Sequence, residues 1–302
     1  SGRVELDTLF LGGGTPTHLG AASLDRLFSS LHRRFRLVSD AEITVEANPS
    51  DISPALVRKL ADAGVNRVSL GVQSFDAAAL KTLERDHTPE EIPRILETVR
   101  ERIANVSLDL IYAVPGQDAA GWERTLEAAL ELRPTHLSTY GLTFEKGTAF
   151  WSRREKGALA SQSEEAERDM YAAAMDRPAA CGLEQYELSS HSQPGKECRH
   201  NRIYWSGDDF EAFGPGAANL IGGVRRTNHR GVMGWLRRIE ANEPPWAEEE
   251  RLSPDDRARE LVMLNLRRRE GMLRDDFRAR TGLSIEALLG EELEQPTALG
   301  LV

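Results

Sequence analysis

The spacing of apolar residues along the first half of the chain switches repeatedly between two patterns. Short runs rich in β-branched and aromatic residues, typical of strands, occur at residues 4–11, 42–46, 67–72, 106–112 and 136–142. Between them, apolar residues recur every three or four positions, as at Leu24, Leu27 and Leu31, which is typical of amphipathic helices. Strands separated by single helices predict a parallel sheet with right-handed crossovers, closed into a TIM-type or partial barrel.

The second half of the chain has a different rhythm. A polar stretch after residue 150 leads into a long helix, and short strands, a glycine-rich turn and further helices follow. A short proline-containing segment near residue 245 is predicted to be a linker. We therefore expect a barrel region at 1–150, an extension at 151–248, and a helical C-terminal domain at 249–302 that is truncated.

Charge and composition limit the class of protein. The 302 residues include 38 Lys and Arg against 48 Asp and Glu, and the net charge of −10 argues against a nucleic-acid or anionic-membrane partner. A local basic patch at Arg225, Arg226 and Arg230 is expected to suit an anionic ligand. No signal peptide or long apolar run is recognisable, and Cys181 and Cys198 are expected to be reduced thiols of a cytoplasmic protein.

Glycines and polar residues stand where the predicted strands end. Three glycines and Thr15 follow the first strand, and this loop either passes close to a ligand or is simply a tight turn. The polar residues at the following strands are Glu46, Gln73, Arg85 and Asp109. Each alone fits a satisfied structural role, but the carboxyl ends of barrel strands converge on one mouth. Carboxylates suit an amine or ribose hydroxyls and an arginine suits a carboxylate, so the set favours a pocket for a zwitterion joined to a sugar.

Six sequence strings then point to a family. LFLGGGTPT, ITVEANP, RVSLGVQSF, SLDLIYAVPGQ, HLSTYGLT and ELVMLNLRR occur in this order through most of the chain. Together they resemble the oxygen-independent coproporphyrinogen oxidase-like family of radical S-adenosylmethionine (SAM) proteins. The resemblance implies an α/β fold, a partial (β/α)6 TIM-like radical SAM barrel lacking its first βα unit here, with a smaller α+β C-terminal region.

The resemblance also implies which residues contact SAM. The positions that match the family's pocket are Gly13, Gly14, Thr15, Glu46, Gln73, Arg85, Asp109, Thr143 and Leu220. The glycine loop is implied to meet the methionyl amino group, and Thr143 is implied to offer its backbone on the adenine side. Leu220 rests on a looser match than the others.

The same resemblance implies a 4Fe–4S cluster, which binds SAM and receives one electron from a donor protein. Its CxxxCxxC motif is expected upstream of Ser1, so we expect the chain to be a fragment. The two cysteines present are seventeen residues apart and cannot supply the about four ligands that such a cluster needs. The chain is therefore expected to hold a SAM pocket without cluster ligands of its own.

A second motif, HNRIYW, begins at His200 and follows Cys198 closely. Taken without the family, it predicts the entry of a strand with packed aromatic residues and a hydrogen-bonded His200. Histidine is also a common axial ligand of heme iron, aromatic rings pack on porphyrins, and Cys198 is an alternative ligand. The string is similar to the HNxxYW motif of HemW-type heme chaperones within the family, which implies that His200 binds heme.

Two functions of different classes stay open at this point. A radical SAM heme chaperone would bind heme and deliver it to heme-accepting proteins. An oxygen-independent coproporphyrinogen III oxidase would instead decarboxylate a porphyrinogen to protoporphyrinogen IX, and HNRIYW favours the chaperone over this enzyme. A third interpretation, an unrelated barrel enzyme acting on sugars or phosphates, predicts no SAM binding. The sequence defines neither the oligomeric state nor the electron donor.

Overall fold

The computed structural model describes residues 3–300, except for the side chains of residues 291 and 296. Contacts between residues divide the chain into two compact units, Ser1–His200 and Asn201–Val302. The domain limits expected after residues 150 and 248 stay a prediction. Within the described range, no helix is both long and apolar enough to cross a membrane.

A seven-stranded sheet forms the centre of the first unit. Its strands are β1 (Val4–Leu11), β2 (Phe35–Ala47), β3 (Arg67–Gln73), β4 (Asn105–Tyr112), β5 (His136–Gly141), β6 (Glu184–Glu187) and β7 (Ser190–Ser192). Their order is β1-β2-β3-β4-β5-β7-β6, in which β1 to β5 are parallel and the last two are antiparallel to their neighbours. The sheet curls into a half-barrel, which confirms the predicted partial TIM-like architecture.

Helices connect the parallel strands, as the sequence pattern predicts. They are α1 (Gly20–Arg34), α2 (Pro54–Asp62), α3 (Ala77–Thr82), α4 (Ile92–Arg100) and α5 (Ala119–Glu131). Two more helices, α6 (Ala149–Glu155) and α7 (Glu164–Ala180), lie between β5 and β6, and α8 (Arg199–Ser206) follows β7. Short 3-10 turns occur at Pro16–Leu19, Pro49–Asp51 and Pro89–Glu91. Side chains cap several helix starts; for example, the Asp118 carboxylate accepts the Gly121 N–H over 2.7 Å at the start of α5.

Residues of the parallel strands alternate between two environments. In β3, Val68 and Leu70 are fully buried in the hydrophobic core formed with the helices, whereas Ser69 between them lines the inside of the curl. In β4, Leu108 and Asp109 repeat this alternation, as the two-residue period of a strand requires. Burial of each such apolar side chain contributes about 1.5–3 kcal/mol, so the helix-facing positions stabilise the unit and the inner positions can be polar.

The second unit combines a small sheet with several helices. Its antiparallel sheet has the order β10-β9-β8, formed by β8 (Ala218–Ile221), β9 (Val224–Asn228) and β10 (Trp246–Arg251). The helices are α9 (Val232–Glu240), α10 (Pro254–Asn265), α11 (Arg274–Thr281), α12 (Ile285–Leu289) and α13 (Glu294–Ala298), with a 3-10 turn at Gly290–Leu293. Ala258, Leu261, Phe277 and Leu288 form the hydrophobic core of this helical part.

The expected basic patch is largely neutralised within this second unit. Arg225 donates to Glu250 Oε2 over 2.8 Å and also bonds Glu260, and Arg226 donates to Glu249 Oε2 over 2.8 Å. Opposite charges on neighbouring strands stabilise an antiparallel sheet. These two arginines are therefore committed to glutamates, which corrects the expectation that they offer their charge to a ligand.

The HNRIYW segment is helical, so its prediction as a strand entry is wrong. It lies within α8, which begins directly after Cys198. Ile, Tyr and Trp favour strands in general, but this preference is weak and depends on context. Here the buried Glu42 carboxylate accepts the N–H groups of Arg199 and His200 over 3.2 and 3.1 Å. A distant residue thus satisfies the first amides of the helix, which outweighs the local preference.

Candidate functional site

A cavity of about 540 Å³ lies at the carboxyl ends of the five parallel strands. The predicted SAM contacts that line it are Gly14, Thr15, Glu46, Gln73, Arg85, Asp109 and Thr143. Gly13 adjoins them, because its N–H donates to Glu46 Oε2 over 3.1 Å. Small-molecule sites usually occupy about 300–1,000 Å³. The residues singled out at successive strand ends therefore meet in one cavity of suitable size.

One predicted contact lies elsewhere in the chain. Leu220 is buried in β8 of the second unit, where it exchanges backbone hydrogen bonds with Phe210. The residues that line the cavity belong to the first unit. A contact between Leu220 and SAM stays a prediction.

The glycine loop after β1 brings backbone close to a carboxylate. Gly13 has a φ of 82°, a conformation that side chains other than glycine rarely adopt. This conformation lets the Gly13 N–H point at Glu46 on the neighbouring strand. At Gly12, a side chain would find no room, since a Cβ there would lie 2.6 Å from Phe10 Cε1 and 2.8 Å from Glu46 Cδ. The loop therefore requires glycine for conformation at one position and for space at another.

Replacing Gly12 with alanine is expected to lower the free energy of unfolding by about 1–3 kcal/mol, because the new methyl group must displace Phe10 or Glu46. Equilibrium urea unfolding measures this change. Gly14→Ala is the matched control, since no atom lies within 4 Å of a Cβ at that position. Equal losses of stability in both variants would contradict the close packing around Gly12.

Glu46 is one of two acids in the cavity whose pKa is raised. Burial, the largest cause, and the negative charge of Asp109 together raise the pKa of Glu46 to about 7, against the opposing effect of the hydrogen bond from Gly13. A carboxyl group that titrates near neutral pH and faces a second acid is typical of a functional site. A cationic group placed between the two would favour the ionised form of both.

Asp109 is held by a group of serine hydroxyls. The Ser69 hydroxyl lies 2.9 and 2.7 Å from its two carboxylate oxygens, and the Ser107 hydroxyl donates to Oδ1 over 3.0 Å. Burial raises the pKa of Asp109, and the hydrogen bonds from the serines and the charge of Arg67 act against that rise. These donors fix the orientation of the carboxylate toward the cavity.

The other predicted residues complete the wall of the cavity. Gln73 ends β3 with a φ of 65°, a left-handed conformation that is uncommon for a residue with a side chain. Arg85 follows α3. Burial lowers the pKa of Arg85, and the charge of the nearby Asp86 opposes this effect only in part. Thr143 follows β5, where its hydroxyl bonds the carbonyl of Gly141. Among the predicted residues, the wall thus presents two acids, one guanidinium and one amide to the same space.

Among the lining residues that were not singled out from the sequence, three have polar side chains: Asn48, Ser69 and Tyr140. Within the described residues, the buried Oδ1 atom of Asn48 has no hydrogen-bond partner, which suits an acceptor that faces a ligand. Burial and the charge of Asp109 raise the pKa of Tyr140 above its usual range, so its phenol stays neutral. Strand periodicity is the signal that could have found Ser69 and Tyr140, because both share the inward-facing parity of Asp109.

His200 lies near the start of α8 and does not line the cavity. Its Nδ1 atom and the Thr8 hydroxyl are 2.8 Å apart, and its ring stacks on Phe10 with centroids 5.2 Å apart. Burial lowers the pKa of His200, whereas the charge of Glu42 acts in the opposite direction. The imidazole is thus held in a fixed orientation and is neutral at pH 7, the form that binds metals.

The described residues do not fit an iron–sulfur cluster. Among residues 3–300, no three or more His, Cys, Asp or Glu side chains form a group suited to a metal ion. Cys181 is exposed, and Cys198 is buried close to the Glu42 carboxylate. A four-iron cluster needs about four ligands, usually thiolates. No chemical step through a cluster is therefore derived from these residues.

Comparison with known proteins agrees with the fold. The sequence profile of the radical SAM superfamily matches residues 3–129, and that of the HemN C-terminal domain matches residues 252–302. The fold is similar to the radical SAM enzyme coproporphyrinogen III oxidase (HemN) of Escherichia coli, with a TM-score of 0.84 and 23% identity over 98% of this chain and 71% of that one. Fold and profile together define a protein of the radical SAM superfamily.

Proteins named heme chaperone HemW are similar over nearly the whole chain. Identity to the Lactococcus lactis protein is 36%, covering 96% of this chain and 76% of that protein. The Bacillus subtilis protein is 34% identical, covering 100% of this chain and 80% of its own length. The Escherichia coli protein is also 34% identical, covering 98% of this chain and 77% of its own length. The chain belongs to the HemW family of radical SAM proteins.

Proposed function

We propose that this protein binds heme through His200 and delivers it to heme-accepting proteins, with SAM held in the strand-end cavity. The observation that carries the proposal is the pairing, in one HemW-family chain, of a zwitterion-and-sugar cavity with an anchored, neutral histidine. The relatives' name, heme chaperone, supports the heme part. Cytoplasmic localisation, a 4Fe–4S cluster held by residues upstream of Ser1, and an electron donor belong to the same proposal.

The residues present fit SAM at the cavity. The sulfonium and ammonium groups of SAM are cationic and would stabilise the ionised carboxylates of Glu46 and Asp109. Burial raises the pKa values of both carboxyl groups. Arg85 is the basic residue suited to the methionyl carboxylate, by charge-assisted hydrogen bonds. Gly13 and Gly14 allow the close approach of backbone that a bound amino acid requires. When bound, SAM supplies a cleavable sulfonium, and the protein's own part is to hold and orient it.

The surroundings of His200 suit heme as cargo. Nδ1 is bonded to Thr8, so an iron ligand from this ring would be Nε2. Stacking on Phe10 and the fixed start of α8 reduce the freedom that the ring would lose on binding iron. Because burial keeps the imidazole unprotonated, little free energy is spent on removing a proton before iron binds.

Replacing His200 with alanine is expected to weaken hemin binding by about tenfold, the effect of losing about 1.4 kcal/mol of ligation free energy, and to leave SAM affinity unchanged. Titration of the Soret absorbance with hemin measures the first quantity and isothermal calorimetry the second. His32→Ala, an exposed histidine on α1, is the control and should bind hemin like the wild type. Superimposable hemin titrations for the wild type and His200→Ala would contradict the assignment.

The oxidase is the second candidate function, and the HemN-like fold alone favours it. It predicts that anaerobically reconstituted protein with SAM and coproporphyrinogen III forms protoporphyrinogen IX. The chaperone predicts instead that hemin stays bound and passes to an apo-acceptor protein without porphyrinogen turnover. Analysis of the porphyrin products therefore separates the two functions.

A further inference from the structure

A chain of buried hydrogen bonds runs from the cavity to the start of α8. Ser107 Oγ lies 3.0 Å from Asp109 Oδ1 and 2.8 Å from His136 Nδ1. His136 Nε2 lies 2.8 Å from the Tyr186 hydroxyl, which accepts the Cys198 N–H over 3.2 Å. Cys198 directly precedes α8 and stands two residues before His200. We call the linked groups of Asp109, Ser107, His136, Tyr186 and Cys198 the polar relay.

All hydrogen bonds of the polar relay point in the same direction. Asp109 accepts at the cavity end, so the Ser107 hydroxyl donates its proton to it and must accept from His136 Nδ1–H. Burial lowers the pKa of His136 well below its usual value, so the ring carries a single proton and Nε2 accepts from Tyr186. Burial likewise raises the pKa of Tyr186, which keeps its phenolic proton. The tautomer of His136 is thus fixed by its neighbours.

Three members of the polar relay are shielded from water, and the other two, Asp109 and Tyr186, are half-buried. Ser107, His136 and Cys198 are 1%, 2% and 2% exposed, so the bond between Ser107 and His136 lies in a largely water-free environment. Hydrogen bonds in such a medium polarise one another, and a change at one end strengthens or weakens the next bond. The far end acts on a segment already fixed, since Glu42 holds the N–H groups of Arg199 and His200.

We propose that the polar relay couples the strand-end cavity to His200, with His136 and Tyr186 as positioning residues. A ligand group that bonds Asp109 competes with the Ser107 hydroxyl for its carboxylate. The change passes through His136 and Tyr186 to the Cys198 amide, and so to the first turn of α8. The functional meaning of this coupling rests on the proposed function, in which SAM occupies the cavity and His200 binds heme.

A ligand-free double-mutant cycle tests the coupling. Asp109→Asn alters the cavity end, and Tyr186→Phe removes only the hydroxyl that joins His136 to Cys198. We expect Asp109→Asn to shift the backbone amide resonances of Cys198, Arg199 and His200 in the NMR spectrum. We expect those shifts to be lost when Asp109→Asn is introduced into the Tyr186→Phe background.

Tyr171→Phe is the matched control, because the Tyr171 hydroxyl bonds the Leu188 carbonyl outside the relay. The Asp109→Asn shifts should persist in that background. Equal shifts in the Tyr186→Phe and wild-type backgrounds would overturn the proposal. If Asp109→Asn does not fold, Ser107→Ala replaces it, since this variant removes the next hydroxyl of the chain with a smaller change.

The tautomer of His136 is a second measurement, and a purely structural role of the polar relay would not change it. Long-range ¹H–¹⁵N spectra of the imidazole should show a neutral ring with the proton on Nδ1 in the wild type. Ser107→Ala removes the acceptor of that proton and should shift the ring toward the Nε2–H form. A wild-type ring protonated on Nε2 would break the direction of the relay and overturn the proposal.

Binding measurements connect the coupling to function. We expect SAM to change hemin affinity by about fivefold in the wild type, at the lower end of usual allosteric couplings, and by less than twofold in Tyr186→Phe. An unchanged hemin affinity on adding SAM to the wild type, with both ligands bound, would overturn the coupling. If the wild type binds no hemin, the proposed function fails, and the ligand-free cycle still decides whether the relay couples the two ends.

Discussion

Replacing Glu42 with alanine is expected to lower the free energy of unfolding by about 3–5 kcal/mol. Glu42 is 7% exposed, and its side chain lies 3.8 Å from the guanidinium of Arg67, which is 2% exposed. Without the carboxylate, the buried Arg67 loses its ion pair and keeps only the Lys196 carbonyl and the charge of Asp109, and the N–H groups of Arg199 and His200 lose their acceptor. Equilibrium urea unfolding followed by circular dichroism measures the loss.

Glu5→Ala is the control for this first prediction. Glu5 also pairs with an arginine across neighbouring strands, Arg36 at 3.6 Å, but both side chains are more than half exposed. Exposed pairs of this kind contribute about 0–1 kcal/mol, so its removal should change stability little. A Glu42→Ala protein as stable as Glu5→Ala would mean that the buried carboxylate contributes nothing beyond a surface pair.

SAM affinity is expected to fall about tenfold between pH 8 and pH 6. With a pKa of about 7, the Glu46 carboxyl is mostly ionised at pH 8 and mostly neutral at pH 6. A cationic amine binds the ionised form better, so affinity is lost as the pH falls through 7. Glu46→Gln should bind about 10–100-fold more weakly at pH 8, since a charge-assisted hydrogen bond is lost, and should lack the pH dependence.

Calorimetric titration with SAM at several pH values measures this profile. Glu127→Gln, an exposed glutamate on the helix-bearing outer side of the sheet, should keep the wild-type profile. A Glu46→Gln protein whose affinity still falls from pH 8 to pH 6 would assign the titration to another group, with Asp109 the next acid in the cavity.

The parallel half of the fold could be predicted from local sequence pattern. Strands such as β3 and β4 carry apolar residues at every second position, and the helices between them carry apolar residues at helical spacing. Parallel strands place their carboxyl ends at one edge, which is why Glu46, Gln73 and Asp109 could be expected to converge. Topology and most of the cavity therefore follow from short-range information.

The surroundings of His200 could not be predicted in this way. Glu42 lies within a strand, and its carboxylate accepts a hydrogen bond from the backbone N–H of Arg199, which is 157 positions later in the chain. Nothing local indicates that this carboxylate holds the start of a helix, so the strand preference of Ile, Tyr and Trp prevailed in the prediction. His136 and Tyr186 are likewise joined only by folding, being 50 residues apart.

Along β3 and β4, selection for ligand recognition and selection for packing act on alternate residues. Exchanging Ser69 or Asp109 would change what the cavity recognises while Val68 and Leu108 continue to hold the strands to the helices. A descendant of this scaffold can therefore acquire a new ligand by substitutions at every other residue, with little penalty in folding. Diversity of chemistry and constancy of shape in such half-barrels have a common origin in this two-residue period.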